Sequence, residues 1–475
     1  MKYLLQKTVI AITILTCFVA CTIKDEISRF DQIEPLHFPV TRSVAENEIS
    51  QVRTRLISKE MLPMILKGFI DPKTFENTEH YSLSVIAADD EDLIYVVNFD
   101  EGGWVLVSGV LTKESPILAL SSSGHFESDE IKSPETAFWL DATKRKIKGS
   151  FDEMTLEKTS SNNHLSKGEL NTSSSIKSLG DSYFWIQYPI DTTITTTNLS
   201  IVYPLLHTKW GQEYPWNYKC PTIDDVQCPT GCVAVAYAQE FYYLHNYLGE
   251  PTSLYHQIDT CYDWHYTHFM PSHEMTNRVS PSPRWEEMPL LNPGYQTIGT
   301  NYVGDLMIEI GQQVFMKYYY NLSETALNTS IFSNYGLSYS SSDFDSSIAI
   351  TQLNDSIPLI IGAYRNPPEV GGHAWIIDGH QSTQTTWTRS FQWRRIPEEL
   401  MNQFLDFVRF SDRDMRMFYP DVVENQIDYE QYQYYSCIFS MNWGWDGVND
   451  GFFTMSTIDY PYEPRMIYGF QIRQL

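Results

Sequence analysis

Apolar and polar positions divide this chain into two patterned regions, separated by a stretch with few large apolar residues. In the first region, Ile94-Tyr95-Val96-Val97-Asn98-Phe99 and Trp104-Val105-Leu106-Val107-Ser108 are strand-length runs of β-branched and aromatic residues. Between them, Asp100-Glu101-Gly102-Gly103 is a hairpin signal, because glycine adopts the left-handed backbone of a tight turn at no steric cost. A further apolar run, Pro116-Ile117-Leu118-Ala119-Leu120, precedes Ser121-Ser122-Ser123-Gly124. Ala137-Phe138-Trp139-Leu140 then opens a helix that carries Lys144, Arg145 and Lys146. Residues 27–157 are therefore expected to form a small α+β module without an evident nucleophile. Residues 158–181 are rich in serine, threonine, asparagine and glycine, a composition that cannot bury enough surface to fold. They read as an exposed linker in which Lys167 and Lys177 are accessible to proteases.

The second region, residues 182–475, carries the candidate chemistry. A helix is predicted from Cys232 through Phe241, Leu244 and Leu248, ended by Gly249 and Pro251. Buried strands are predicted at Pro358-Leu359-Ile360-Ile361, at His373-Ala374-Trp375-Ile376-Ile377, from Tyr434 to Asn442, and at Gly451-Phe452-Phe453-Thr454-Met455. Gly379 reads as the end of the His373 strand. A chain of 475 residues accommodates two such folded units after a leader.

Residues 1–20 form the leader. Lys2 and Lys7 flank a short basic segment, and Thr8 to Ala20 is an apolar stretch too short to span a bilayer. Phe18-Val19-Ala20-Cys21 resembles a bacterial lipobox, with Phe18 in place of the usual leucine, so Cys21 is expected to become a lipidated first residue. Thr22-Ile23-Lys24-Asp25-Glu26 resembles the surface-export signal of Bacteroidetes lipoproteins; plain secretion is the alternative. Any membrane association would then run through the lipid alone. The net charge of −26 argues against nucleic acid and anionic lipid as partners. Beyond Cys21 there are five cysteines, an odd number that leaves at least one thiol free in an exported chain. Cys220 and Cys228 bracket a short acidic loop and could form a disulfide, which would leave Cys232 free. No Cys-x-x-Cys pair with zinc spacing is present, and His265, His268 and His273 lack a nearby acidic partner. No metal or cofactor is expected.

Cys232 follows the turn Pro229-Thr230-Gly231 and begins the helix, where free N–H groups and the helix dipole favour the reactive thiolate. Its own N–H could serve one side of an oxyanion site. The amide of Gln212, on an upstream loop, could serve the other without changing charge. Of the twelve histidines, His373 has the best setting for a base, since Gly371 and Gly372 permit close approach of a ligand. His380 should face the opposite side of the strand. Asn442 can accept from an imidazole and fix its tautomer, while the Trp443 indole shields that bond from water.

Lys209-Trp210-Gly211-Gln212, Pro215-Trp216-Asn217, Thr230-Gly231-Cys232-Val233-Ala234, Gly371-Gly372-His373-Ala374 and Asn442-Trp443-Gly444-Trp445 together resemble the streptopain family of papain-like cysteine peptidases. That resemblance implies an α+β fold: a papain-like catalytic domain, with a helix-borne cysteine packed on an antiparallel sheet, behind a small α+β propeptide domain. It implies Cys232 as nucleophile, His373 as proton acceptor, Gln212 as oxyanion donor, Asn442 and Trp443 as the orienting pair, and Gly372 as a substrate-backbone contact. Residues 27–157 are similar to inhibitory propeptides of Bacteroidetes members. The expected product is an exported endopeptidase acting on proteins or peptides through an acyl-thioenzyme, made as a zymogen with its own propeptide as inhibitor. A surface lipoprotein that binds peptides or glycans without cutting, and an acyl-transferring thiol enzyme, are the alternatives. Three departures stand out. Asp446 occupies a position where the family has glycine, the segment between His373 and Asn442 is longer, and no serine-glycine substrate loop is recognisable near Asn321-Leu322-Ser323.

Overall fold

The computed structural model describes residues 55–70, 80–88, 91–111, 115–165, 183–248, 258–267, 270–278, 283–364, 372–397, 417–418, 427–455 and 464–472. The leader with Cys21, Lys167, Lys177 and most of the insert after Pro397 lie outside them. By internal contacts the chain forms two units. One comprises residues 52–159, 196–385 and 434–475, and holds most of both patterned regions.

That unit begins with α1 (Leu62–Phe69) and four strands, β1 (Tyr81–Ala88), β2 (Glu91–Phe99), β3 (Trp104–Ser108) and β4 (Ile117–Ser121). Every residue of β3 and β4 is buried, which explains continuous apolar runs where a half-exposed strand would alternate. Gly102 (φ 100°) and Gly103 (φ 92°) make the predicted turn between β2 and β3. α2 (Pro134–Leu165) follows. It starts earlier than Ala137 and takes in the first residues of the expected linker, correcting that boundary from Lys158 to beyond Leu165. Once a helix is nucleated, each added polar residue gains a backbone hydrogen bond at little further cost.

β5 (Tyr183–Val202) leads into the second region, where the short pair β6 (Thr222–Ile223) and β7 (Val226–Gln227) precedes α3 (Cys232–Leu248). The hairpin β8 (Ile258–Thr267) and β9 (Met270–Arg278) pairs Trp264 with His273 and His265 with Ser272. α4 (Ile298–Gln313) is started by a capping box between Thr297 and Thr300. A small hairpin, β10 (Lys317–Tyr318) and β11 (Ser323–Glu324), precedes β12 (Leu337–Asp343) and α5 (Ser346–Asn354). The remaining strands are β13 (Leu359–Tyr364), β14 (Gly372–Pro397), β15 (Met417–Phe418), β16 (Ile427–Asn442), β17 (Gly451–Phe453) and β18 (Arg465–Ile472).

The main path of the sheet runs β12-β18-β13-β14-β16-β17-β4-β3-β2-β1. The N-terminal strands thus extend the same sheet that carries His373 and Asn442. The seam is β17 against β4, with Phe452 opposite Leu120 and Phe453 opposite Ala119. One buried cluster crosses it, containing Trp104, Leu118, Trp139, Trp375, Trp443 and Phe453. A second cluster packs α3 and α4 against the other side, through Ala234, Tyr237, Phe241, Val303 and Ile310. Gly379 does not end β14. A Cβ there would lie 2.6 Å from the Val202 carbonyl oxygen, so this glycine serves close approach rather than termination. His380 is buried and turned to Asn354 and Ser382.

The other unit comprises residues 1–51, 160–195 and 386–433. Among its described residues, β15 pairs antiparallel with β5, placing Met417 opposite Ile186 and Phe418 opposite Trp185.

Candidate active site

Local chain chemistry fixes the nucleophile's position. Gly231 has φ 89°, and a Cβ on it would meet the Met316 side chain at 2.7 Å and Ser323 at 3.3 Å. Only glycine allows the turn to pass beneath the β10–β11 hairpin and deliver Cys232 as the first residue of α3. Ser323 Oγ donates to the Pro229 carbonyl at 2.7 Å, tying the hairpin to the same turn. The Thr230 N–H donates to the Gln212 carbonyl at 2.8 Å, so the Gln212 loop is fastened two residues before the thiol.

His373 lies next to Cys232 and is buried. Its Nε2 lies 2.9 Å from the Trp443 carbonyl oxygen and its Nδ1 lies 3.1 Å from Glu135 Oε1. A carbonyl can only accept, so Nε2 carries a proton, and a carboxylate draws a second to Nδ1. Burial alone would pull this imidazole down in pKa. The Glu135 charge, the adjacent Cys232 and the Trp443 carbonyl outweigh burial and push it up to about 9. Trp445 Nε1 donates to the other oxygen of Glu135. Glu135 belongs to the first turn of α2, so the N-terminal region places a buried carboxylate between the imidazole and Trp445. Its sequence had suggested no such part, because a glutamate in a helix's first turn is ordinarily read as a dipole partner.

Asn442 is buried beside this group but is not bonded to His373. Its Oδ1 accepts from Gln239 Nε2 at 3.0 Å and from the Gly444 N–H at 3.2 Å, while its Nδ2 donates to the Thr208 carbonyl at 3.0 Å. The imidazole is held instead by the Trp443 backbone carbonyl, with its ring centroid 6.5 Å from that of the Trp443 indole. Gln239, unassigned from sequence, also accepts from the Trp210 N–H at 3.2 Å. It thereby links the helix of Cys232, the loop of Gln212 and the turn of Trp443. Its spacing of seven from Cys232, two turns along one helix face, was the available signal. Asp450 accepts from the Trp443 N–H at 2.9 Å and pairs with Lys209 at 2.8 Å, holding the same turn from outside. Gln212 is buried and Gly372 is exposed at the start of β14, opposite Tyr364.

Cys220, Cys228 and Cys437 are also free and lie in less reactive settings. Burial pushes Cys220 well above the ordinary thiol range, and Cys228 and Cys437 up to about 11. At neutral pH these three are almost wholly protonated, whereas Cys232 is partly exposed at a helix start. Limited iodoacetamide treatment followed by mass mapping should therefore label Cys232 first; faster labelling of Cys228 or Cys437 would contradict this ordering. Among the described residues, no group of three or more His, Cys, Asp and Glu side chains is arranged to hold a metal ion.

A helix-borne thiol, a buried imidazole and a fastened glutamine loop make a set able to attack and protonate an amide. Residues 210–453 match the Peptidase C10 family, and residues 44–147 match the Spi protease inhibitor family. The chain belongs to the Peptidase C10 family. C10 relatives include streptopain of Streptococcus pyogenes serotype M28 (strain MGAS6180), 24% identical over 397 residues, covering 77% of this chain and 74% of that protein. Streptopain of serotype M1 is 23% identical over the same shares. Two solved structures are also similar. A fragment of Prevotella intermedia prointerpain A is 19% identical with a TM-score of 0.47, covering 82% of this chain and 98% of that one. Active wild-type interpain A of the same organism has 19% identity and a TM-score of 0.37, over 57% and 95%. This C10 chain is a cysteine protease preceded by an inhibitor-type propeptide domain, and its mixed helix and sheet architecture is the α+β arrangement expected from the motifs.

Proposed function

We propose that this C10 chain is the latent precursor of an exported endopeptidase, in which Cys232 attacks the peptide carbonyl and Glu135 withholds the base until the N-terminal region is displaced. The observation that carries this reading is the Glu135 carboxylate set between His373 and Trp445. A ring that carries protons on both nitrogens cannot take the thiol proton, and the carboxylate occupies the Nδ1 side of His373.

Once Glu135 leaves, the carboxylate that draws a proton to Nδ1 is gone. His373 can then take the thiol proton as the Cys232 sulfur bonds to the carbonyl carbon. The developing oxyanion is met by the Cys232 N–H and the Gln212 amide. As the C–N bond breaks, His373 passes its proton to the amine. Water then adds to the acyl-thioenzyme, giving its proton to the imidazole and releasing a carboxylic acid and the thiol. The Trp443 carbonyl orients the ring throughout, and Gly372 leaves room for the substrate backbone. Export and lipidation at Cys21 are supported by the leader sequence, residues 8–26. Cys21→Ala should release the protein from the membrane fraction.

Purified full chain and its Cys232→Ala variant, incubated with casein under reducing conditions, test the activity. Hydrolysis is expected from the wild type after a lag for propeptide removal, and none from the variant. Equal hydrolysis by both would refute the assignment of Cys232. Gln212→Ala should lower turnover by roughly 10²–10³-fold, the loss typical of one oxyanion donor.

A further inference from the structure

Four large apolar side chains cluster on the surface next to the Gln212 loop: Tyr214, Leu291, Tyr295 and Ile298, each between 55% and 67% exposed. They are held as a rigid shelf rather than a loose loop. The Gln296 N–H donates to the Tyr214 hydroxyl at 2.9 Å, and the Gly294 N–H donates to Asn292 Oδ1 at 2.8 Å. The segment is also strapped beneath the Gln212 loop, since the Lys209 N–H donates to the Leu290 carbonyl and Trp210 Nε1 to the Pro289 carbonyl, both at 2.7 Å.

Asp446, the residue that departs from the family's glycine, fastens this shelf to the active-site turn. Its Oδ1 accepts from Trp216 Nε1 at 2.7 Å and its Oδ2 from Asn292 Nδ2 at 3.2 Å. Its backbone is left-handed (φ 54°), and its carboxylate fills the space that a Cβ on Gly211 would need, 2.8 Å away. With both oxygens engaged, Asp446 acts as a fastener for apolar surface, not as a site for a cation. Burial raises its pKa, as expected for a carboxylate set into packed surface.

The position of the shelf follows from the chemistry of the cut. His373 must protonate the departing amine, so the part of the substrate after the scissile bond lies on the His373 and Trp445 side. From Trp445 the chain passes directly to Asp446 and through Asn292 to Tyr214. We propose that this shelf, resting on the peptidase reading above, binds apolar or aromatic side chains of the polypeptide substrate in the first few residues after the cleaved bond. Exposed apolar groups on a scaffold tied by hydrogen bonds to the Gln212 loop and to the turn that carries Trp445 and Asp446 suit an extended peptide whose backbone is already held at the scissile bond.

Three fluorogenic peptides with identical residues before the cut test this on the chain after linker cleavage and removal of the clipped propeptide. One ends in an amide fluorophore at the cut, one continues with Leu and Phe residues, and one continues with serines. The wild type should cleave the apolar extension on the order of tenfold more efficiently than the serine one, the scale at which single apolar contacts discriminate. Leu291→Ser with Ile298→Ser should abolish that preference, and Tyr295→Ser alone should reduce it. These side chains are exposed, so the core is untouched by the changes. Retention of the preference by the variants, or equal wild-type efficiency on both extensions, would overturn the proposal. If neither extension discriminates and the double variant instead dissociates a dimer on sizing, the shelf belongs to a second copy of the chain. Failure to cleave any of the three, the short one included, would overturn the peptidase reading and the shelf with it.

Discussion

Replacing His373 by alanine in the chain cleaved at the linker and freed of its propeptide should lower kcat/KM on a peptide substrate by on the order of 10⁴–10⁶-fold, the scale seen when a nucleophile or its base is lost. His373 is the buried ring beside Cys232, and both of its nitrogens face acceptors at about hydrogen-bond distance. His380→Ala should remain near wild type, because that ring bonds Asn354 and Ser382 on the other side of the strand. Asn442→Ala should act chiefly on stability. It would leave the Gln239 amide and the Thr208 carbonyl without a buried partner, at a cost of about 1–3 kcal/mol for each unsatisfied group. Circular dichroism alongside the kinetics separates the two effects. Comparable kinetic losses for His373 and His380 would remove the case for the base.

The second large effect is expected from Glu135. Removing one partner of a buried ion pair typically costs about 3–5 kcal/mol, which corresponds to weakening the latent contact by roughly 10²–10⁴-fold. Glu135→Gln in the uncut chain should therefore raise the initial rate of peptide hydrolysis before any self-processing. The pH dependence carries the sign. His373 is raised from 6.5 to about 9 in the latent state, so its stabilising contribution is complete below about 6.5 and is lost as pH rises through about 9. Latency of the wild type should weaken over that alkaline window, and Glu135→Gln should flatten the dependence. Initial rates of the uncut proteins across the window provide the measurement. An identical pH profile in the two proteins would show that Glu135 does not hold the base.

The helix start at Cys232 and the strand that carries His373 were readable in the sequence because glycines mark both locally. Glu135 was not, since its meaning arises only when the shared sheet brings α2 against β14. The sequence suggests that Asn442 accepts from the imidazole, and in this structure its oxygen accepts from Gln239 instead. A strand end fixes where a side chain sits, whereas its partner depends on which of several buried groups is closest, here Gln239. α2 runs past the expected start of the linker because composition reports how much apolar surface a segment can bury, whereas an established helix adds polar residues through backbone hydrogen bonds. Gly379 was read as a stop because a glycine that ends a strand and one that admits a neighbouring backbone look alike in sequence. The turn glycines Gly102 and Gly103 had no such ambiguity, since both carry positive φ between two strands.

The seam between β17 and β4 changes what activation requires. Cutting the linker leaves the hydrogen bonds of that seam intact, together with the Trp139 Nε1 donation to the Thr454 carbonyl and the packing of Trp139 on Phe453 at 5.0 Å. A clipped propeptide would therefore stay on as a tightly held product, and activity would appear only as fast as the fragment unfolds, is diluted away or is digested. Its departure would uncover β17 as a new sheet edge. That edge is three residues long and begins with glycine, which limits how much foreign chain it can template. The mature enzyme would thus exchange a long, capped sheet for a short open one, and free propeptide added back should close it again.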